Sequence, residues 1–246
     1  MNKKQLIEVF EDTKLKLDSY PTESETKIYD YTELVTPPLT DKIKEGTIDV
    51  VSTDTITTVI NLTKEFPNKR ICMLNMASEK KPGGGVINGA KSQEECLFRC
   101  TDLYKTVVTD YYPLTIEQSL YTTDSIIIKD VEYNDIAPIY VDCITIPAIN
   151  LNKYNYEDNL YDVINERKIR LMLSLPKIHD CDIVVLGSWG CGVFGNEPEY
   201  ISNKFKEVLD TFRMRYHFDK VVFGIINDYN SVDNNYEIFY NNLNDI

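Results

Sequence analysis

The chain has 246 residues, a formal net charge of −13 and 43% hydrophobic residues, with 17 Tyr, two His and a single Trp. At that length such a hydrophobic share fills a sizeable core and excludes wholesale disorder, and no run approaches the roughly 18 apolar residues of a membrane helix. The acidic balance argues against direct nucleic-acid binding through a basic field and requires any anionic ligand to be held locally by aimed backbone amides.

Lys3 and Lys4 lead into Glu8, Glu11 and Asp12 with no apolar signal core, so a cytoplasmic setting is expected, and no membrane partner. The six cysteines include no Cys-x-x-Cys pair, which suits reduced thiols. Cys96 and Cys100 stand one helical turn apart, but with only His179 and His217 in the chain no metal site is expected.

In chain order, Leu6, Val9, Phe10, Leu15 and Leu17 predict an amphipathic helix over residues 3–17. A polar segment through Pro37-Pro38 predicts extended chain wrapped on the surface. Residues 1–46 are thus expected to form an N-terminal extension, and 47–246 one globular core. Within the core, strands are predicted at 48–51, 71–74, 125–128, 141–146, 182–187 and 220–226. Helices are predicted at 54–66, 92–109, 161–175 and 199–214. Strands alternating with helices at this spacing predict an α/β fold, a three-layer α/β/α sandwich.

Two strand-to-helix connections are glycine-rich, and in such folds ligands sit at the carboxyl ends of strands. The first runs Asn75-Met76-Ala77-Ser78 to Gly83-Gly84-Gly85-Val86, then Asn88-Gly89-Ala90 and Gln93-Glu94-Glu95. Consecutive glycines let backbone approach a ligand and point several amides one way. No Gly-Lys-Ser/Thr follows, so it is not a nucleoside-triphosphate loop. The second is Gly187-Ser188-Trp189-Gly190-Cys191-Gly192-Val193-Phe194-Gly195-Asn196-Glu197-Pro198, which could cradle a diphosphate and pack an aromatic on a sugar or base; the alternative is a packed loop with its aromatics turned inward. Glu94 and Glu95 would ordinarily be a solvated first helical turn. Confined beside each other near a bound sugar, such a carboxyl should have its pKa raised, with the helix N-terminus opposing the shift.

The triple glycine, seven intervening residues and Gln93-Glu94-Glu95 resemble the signature of the poly(ADP-ribose) glycohydrolases, and the context Asn75 to Ser78, Asn88 to Ala90 and Gly187 to Pro198 is similar to the microbial branch of that family. Tyr111-Tyr112-Pro113 and Ile146 to Asn150 add to the likeness, which runs from about residue 47 to 228. Ser78 and Ser188 depart from the commoner residues without removing a catalytic group. The resemblance implies a macrodomain, a mixed-sheet α/β/α sandwich built to hold ADP-ribose. It implies Glu95 as the catalytic acid, Glu94 as its helper on the ribose at the scissile bond, and Asn75 on the terminal ribose hydroxyls. Gly83, Gly84, Gly85, Val86, Gln93, Gly190, Cys191, Gly192, Val193 and Gly195 would bind substrate, the two glycine loops bracketing the diphosphate. Phe194 would pack on the terminal ribose, and Asp54 would reach the adenine. The implied reaction cleaves the ribose–ribose bond at the end of poly(ADP-ribose), free or on ADP-ribosylated proteins, and releases ADP-ribose by acid–base glycoside hydrolysis, with no cofactor and no metal, in a monomer. The alternatives are removal of mono-ADP-ribose and a module that binds ADP-ribose without cutting it.

Overall fold

The computed structural model describes residues 1–21, 23–32, 46–227 and 234–244. Pro37-Pro38, in the segment expected to be extended, lies outside the described residues. Among those described, seven strands form one sheet: β1 (Glu25–Asp30), β2 (Thr47–Val51), β3 (Ile71–Met76), β4 (Gln118–Lys129), β5 (Asp135–Ile146), β6 (Ile183–Leu186) and β7 (Lys220–Gly224). Their spatial order is β1-β4-β5-β3-β6-β7-β2. The β1/β4 and β4/β5 pairs are antiparallel and the rest parallel, so the sheet is mixed.

The helices are α1 (Lys3–Leu17), α2 (Thr55–Glu65), α3 (Gln93–Cys100), α4 (Leu103–Thr106), α5 (Asp158–Ile178), α6 (Pro198–Thr211) and α7 (Asn235–Leu243). The near-continuous apolar strands are covered on both faces, as parallel strands must be. Cys72, Leu74, Val184, Leu186, Val221 and Phe223 turn toward α5, α6 and α7, where they meet Leu171, Phe205, Val208 and Phe239. Their alternates Ile71, Met73, Ile183, Val185 and Val222 meet Ile56, Val59, Leu97 and Phe98 from α2 and α3, together with Phe10 of α1. This is the expected three-layer sandwich. No helix among the described residues is long and apolar enough to cross a membrane.

Three departures from the sequence reading have physical causes. Residues 25–30, expected as extended chain wrapped on the surface outside the sheet, pair with β4 as the sheet's edge strand. The single helix expected over 92–109 is two, because Thr101 forms a β-bridge with Ile127 and draws the backbone out of the helix. Asp102 holds that break: its buried carboxylate accepts from the Ser125 hydroxyl at 2.6 Å, the Ile126 amide at 2.9 Å and the Ser24 hydroxyl at 2.5 Å. Helix α7 was not foreseen; its buried side chains, Asn235, Phe239 and Leu243, include only one apolar i, i+4 pair. Removing the Asp102 carboxylate strands the Ser125 and Ile126 donors, each costly to leave unpaired, while Ser24 keeps the Asp124 carbonyl at 3.0 Å. Asp102→Ala is therefore expected to lose about 2–4 kcal/mol of stability in a denaturant titration. A loss within a few tenths of the wild-type value would mean that the break does not depend on this carboxylate.

Candidate active site

A cavity of about 860 Å³ opens at the carboxyl ends of β3 and β6, where both glycine loops meet it. Its wall includes Glu94 and Glu95, Gly84 and Gly85 of the first loop, and Gly190, Gly192, Val193 and Phe194 of the second. Ser92 stands at the N-cap position of α3, which puts both acids in its first turn. They are nonetheless 4% and 7% exposed, so they are not a solvated helix start.

The triple-glycine loop acts on the acids themselves. The Gly83 amide donates to Glu94 Oε1 at 3.2 Å, the Ser78 amide to Glu94 Oε2 at 2.8 Å, and the Gly85 amide to Glu95 Oε1 at 2.7 Å. The Gly84 and Val86 amides bond back to the carbonyls of Lys81 and Gly83. Every amide from 83 to 86 is thus engaged within the chain, and the loop holds the carboxylate pair where it was expected to help bracket a diphosphate. Gly83 and Gly84 have φ of +66° and +50°. A Cβ on Gly84 would fall 2.6 Å from Glu95 Oε1 and 2.9 Å from Glu94 Oε2, so both carboxylates close on one point over that glycine.

Burial pushes the Glu94 carboxyl up to about 8 and the Glu95 charge adds to the rise, while the Ser78 and Gly83 amides and the Asn75 side chain pull it down. Folding then raises this group's proton affinity above the ordinary 4.5. Between those values the folded chain holds the extra proton, so stability falls as pH rises through the window. The melting temperature of the wild type minus that of Glu94→Gln is expected to drop between about pH 5 and about pH 8. A difference that stays level across that range would contradict the assignment.

The second loop leaves part of its backbone unbonded. Its Trp189, Cys191, Gly195 and Asn196 amides are bonded inside the loop. Those of Gly190, Gly192, Val193 and Phe194, four residues of the cavity wall, make no hydrogen bond to the described residues. Asn196 pins this shape: its Nδ2 donates to the Ile149 and Gly190 carbonyls at 2.8 and 3.0 Å, and its Oδ1 accepts from the Tyr161 hydroxyl at 2.6 Å. Trp189 turns inward, fully buried, with Nε1 donating to the Ile146 carbonyl at 3.1 Å, whereas Phe194 stays half-buried at the cavity.

Five expected substrate-binding positions do not line the cavity: Asn75, Gly83, Val86, Cys191 and Gly195. Asn75 is fully buried at the end of β3, where its Nδ2 donates to Thr145 Oγ1 at 3.2 Å. Val86 and Cys191 are buried in the core, and Gly83 lies under Phe98. Gln93 does line the cavity, but its amide ties α3 to the end of β3, accepting from the Met76 amide and donating to the Leu74 carbonyl and Thr55 Oγ1. Asp54 also faces the cavity while its carboxylate caps α2 through the Thr57 amide and hydroxyl. The sequence reading missed Leu6 and Tyr133, which reach the wall from α1 and from the turn joining β4 to β5. Neither carries a local signal of that role. Lys80 and Lys81, also in the wall, were visible as a cationic pair before the glycines.

A buried acid pair at a cavity over the strand ends of a mixed α/β/α sandwich defines the class: a macrodomain-like fold with carboxylates in its cavity wall. Residues 6–131 match the family model for the microbial-type PARG catalytic domain, and the chain belongs to that family of glycoside hydrolases acting on poly(ADP-ribose). Among solved structures, it is similar to the poly(ADP-ribose) glycohydrolase of Thermomonospora curvata bound to the inhibitor ADP-HPD, with 22% identity over 96% of this chain and 98% of that one and a TM-score of 0.84. The Deinococcus radiodurans glycohydrolase in complex with ADP-ribose gives 24% identity over 89% and 93% of the two chains and a TM-score of 0.74. At those identities the likeness speaks for the fold. No curated protein matches the sequence.

Proposed function

We propose that this poly(ADP-ribose) glycohydrolase releases ADP-ribose from the polymer end, with Glu95 as its general acid and then its base. The observation that carries this role is the state of one carboxylate: Glu95 Oε1 is fixed by the Gly85 amide, while Oε2 is buried, lacks a partner among the described residues and belongs to a side chain lining the cavity. A buried oxygen without a partner is costly unless a ligand supplies one. The departing ribose 2′-oxygen is that partner. The one proton that the buried acid pair holds, resting on Glu94 beside the Glu95 charge, passes through Glu95 Oε2 to that oxygen as the bond to the anomeric carbon breaks, and the Glu95 carboxylate then draws a proton from the attacking water. Glu94, held from behind by two amides, keeps lone pairs for a hydroxyl of the ribose at the scissile bond. The free amides of the second loop hold the diphosphate, whose charge stabilises the oxocarbenium-like centre. Phe194 packs on the ribose. The protein works as a monomer in the cytoplasm, and its six free thiols suit a reducing setting.

Incubation with poly(ADP-ribosyl)ated and mono(ADP-ribosyl)ated protein tests this, with released ADP-ribose as the readout. Release from the polymer, leaving the last protein-linked unit in place, is the expected result. Release from both substrates would reassign the enzyme to broader ADP-ribosyl hydrolysis, and binding without release would make it a reader.

A further inference from the structure

Cys96 follows Glu95 on α3 and lines the same cavity. It is half-buried, whereas Cys72, Cys100, Cys143, Cys181 and Cys191 are buried. Cys100 stands one turn further on as the last residue of α3, with its Sγ donating to the Asp130 carbonyl at 3.3 Å. Beside them lies the fully buried Arg99, whose Nε donates to the Leu6 carbonyl at 3.2 Å and whose Nη2 donates to that of Ala90; its Nη1 is buried without a partner among the described residues. The Tyr133 ring lies 6.0 Å from this guanidinium. The neighbouring Cys100 side chain lowers the Cys96 pKa, helped by the Tyr133 hydroxyl and the Arg99 charge, against burial and the Asp54 carboxylate. A partly accessible thiol beside a cation is the environment of a reactive cysteine.

We propose that Cys96 is the peroxide-reactive thiol of this enzyme, that Cys100 resolves it into a disulfide, and that this bond silences the adjoining cavity. The proposal rests on the reading of that cavity as the ADP-ribose site. The Cys96 thiolate attacks one oxygen of hydrogen peroxide; the O–O bond breaks, hydroxide leaves, and Cys96 becomes a sulfenic acid. The Cys100 sulfur then attacks the Cys96 sulfur; the S–O bond breaks, and the Cys100 proton leaves with the hydroxide as water. Two thiols lose two electrons, and peroxide is reduced to water.

Helical geometry sets Cα atoms four residues apart at about 6 Å, inside the span that disulfides bridge, but their Cβ atoms at about 5–6 Å, beyond the roughly 3.5–4.5 Å of a disulfide, so the bond requires the last turn to move. Thr101 is already extended, at φ −132° and ψ 173°, so the end of α3 can yield to the bond. Drawing the Cys96 sulfur toward Cys100 pulls on the turn that carries Glu95, and a displacement of about 1 Å at a reacting group costs roughly 10²-fold in rate.

Peroxide treatment of the full chain, followed by mass mapping of all six cysteines, tests this. The peptide holding Cys96 and Cys100 is expected to lose two hydrogens before any other cysteine reacts, and saturating ADP-ribose is expected to slow that loss. Polymer turnover should fall by about tenfold or more and return with a dithiol reductant. In Cys100→Ser, Cys96 should stop at the sulfenic acid and be trapped by dimedone. Each variant is scored against its own untreated rate. First oxidation at another cysteine, disulfide formation without loss of turnover, or indifference to ADP-ribose would overturn the proposal. An untreated enzyme that does not cut polymer would instead defeat the functional reading, while the thiol map still decides this one.

Discussion

Replacement of Glu95 by Gln is expected to lower poly(ADP-ribose) turnover by about 10²–10⁴-fold, the usual worth of a positioned proton donor, while ADP-ribose affinity changes little. The glutamine carbonyl can still accept from the Gly85 amide that now holds Oε1 at 2.7 Å, so the side chain keeps its place. What is lost is a carboxylate oxygen able to pass a proton at Oε2, the atom that has no partner among the described residues. The measurement is a pair: single-turnover release of ADP-ribose, and calorimetric binding of ADP-ribose to the same preparation. Full turnover in the variant would refute the role of Glu95. A joint collapse of turnover and affinity would show instead that the carboxylate shapes the cavity.

Gly84→Ala is expected to lose about 10²-fold or more in turnover, by a different route. The added methyl would stand 2.6 Å from Glu95 Oε1 and 2.9 Å from Glu94 Oε2, so at least one carboxylate must leave its position. The backbone there has φ +50°, which adds about 1–2 kcal/mol of strain for any residue with a Cβ. Gly195→Ala separates the two effects. Its φ of +75° brings comparable strain, but the nearest atom to its Cβ is Asn152 Oδ1 at 3.6 Å. Both variants should melt lower than the wild type, and Gly84→Ala alone should lose most of its turnover. Equal activity in the two would mean that strain, not displacement of the acids, governs the result.

The sheet and the sandwich were legible because buried parallel strands write themselves as short apolar runs, as at Ile183–Leu186. The N-terminal helix was legible from its spacing, and the Glu95 cavity from two glycine loops at strand ends. The break between α3 and α4 was not, because the bridge from Thr101 to Ile127 and the bonds of Ser125 and Ile126 to the Asp102 carboxylate set it from 23 or more residues away in sequence. The direction of the amides in the triple-glycine loop was equally hidden. Glycines announce that backbone can come close to something; they do not say whether that something is a ligand or the enzyme's own carboxylates. The placement of Asn75 shows the same limit, since a polar residue at a strand end reads alike whether it meets substrate or packs against Thr145.

The cavity wall draws Leu6, Tyr133, Phe194 and Asn235 from four distant stretches of the chain. Few of its parts can therefore assemble locally, and closing such long loops is what slows folding. A partly collapsed chain would hold the glutamates but lack the enclosure that keeps water from them. Hydrolytic competence should accordingly emerge late during refolding, in step with the last protected amides and well after helical signal has recovered. A seated ligand, gripping first helix and final helix together, would act as a clasp against unravelling from either end.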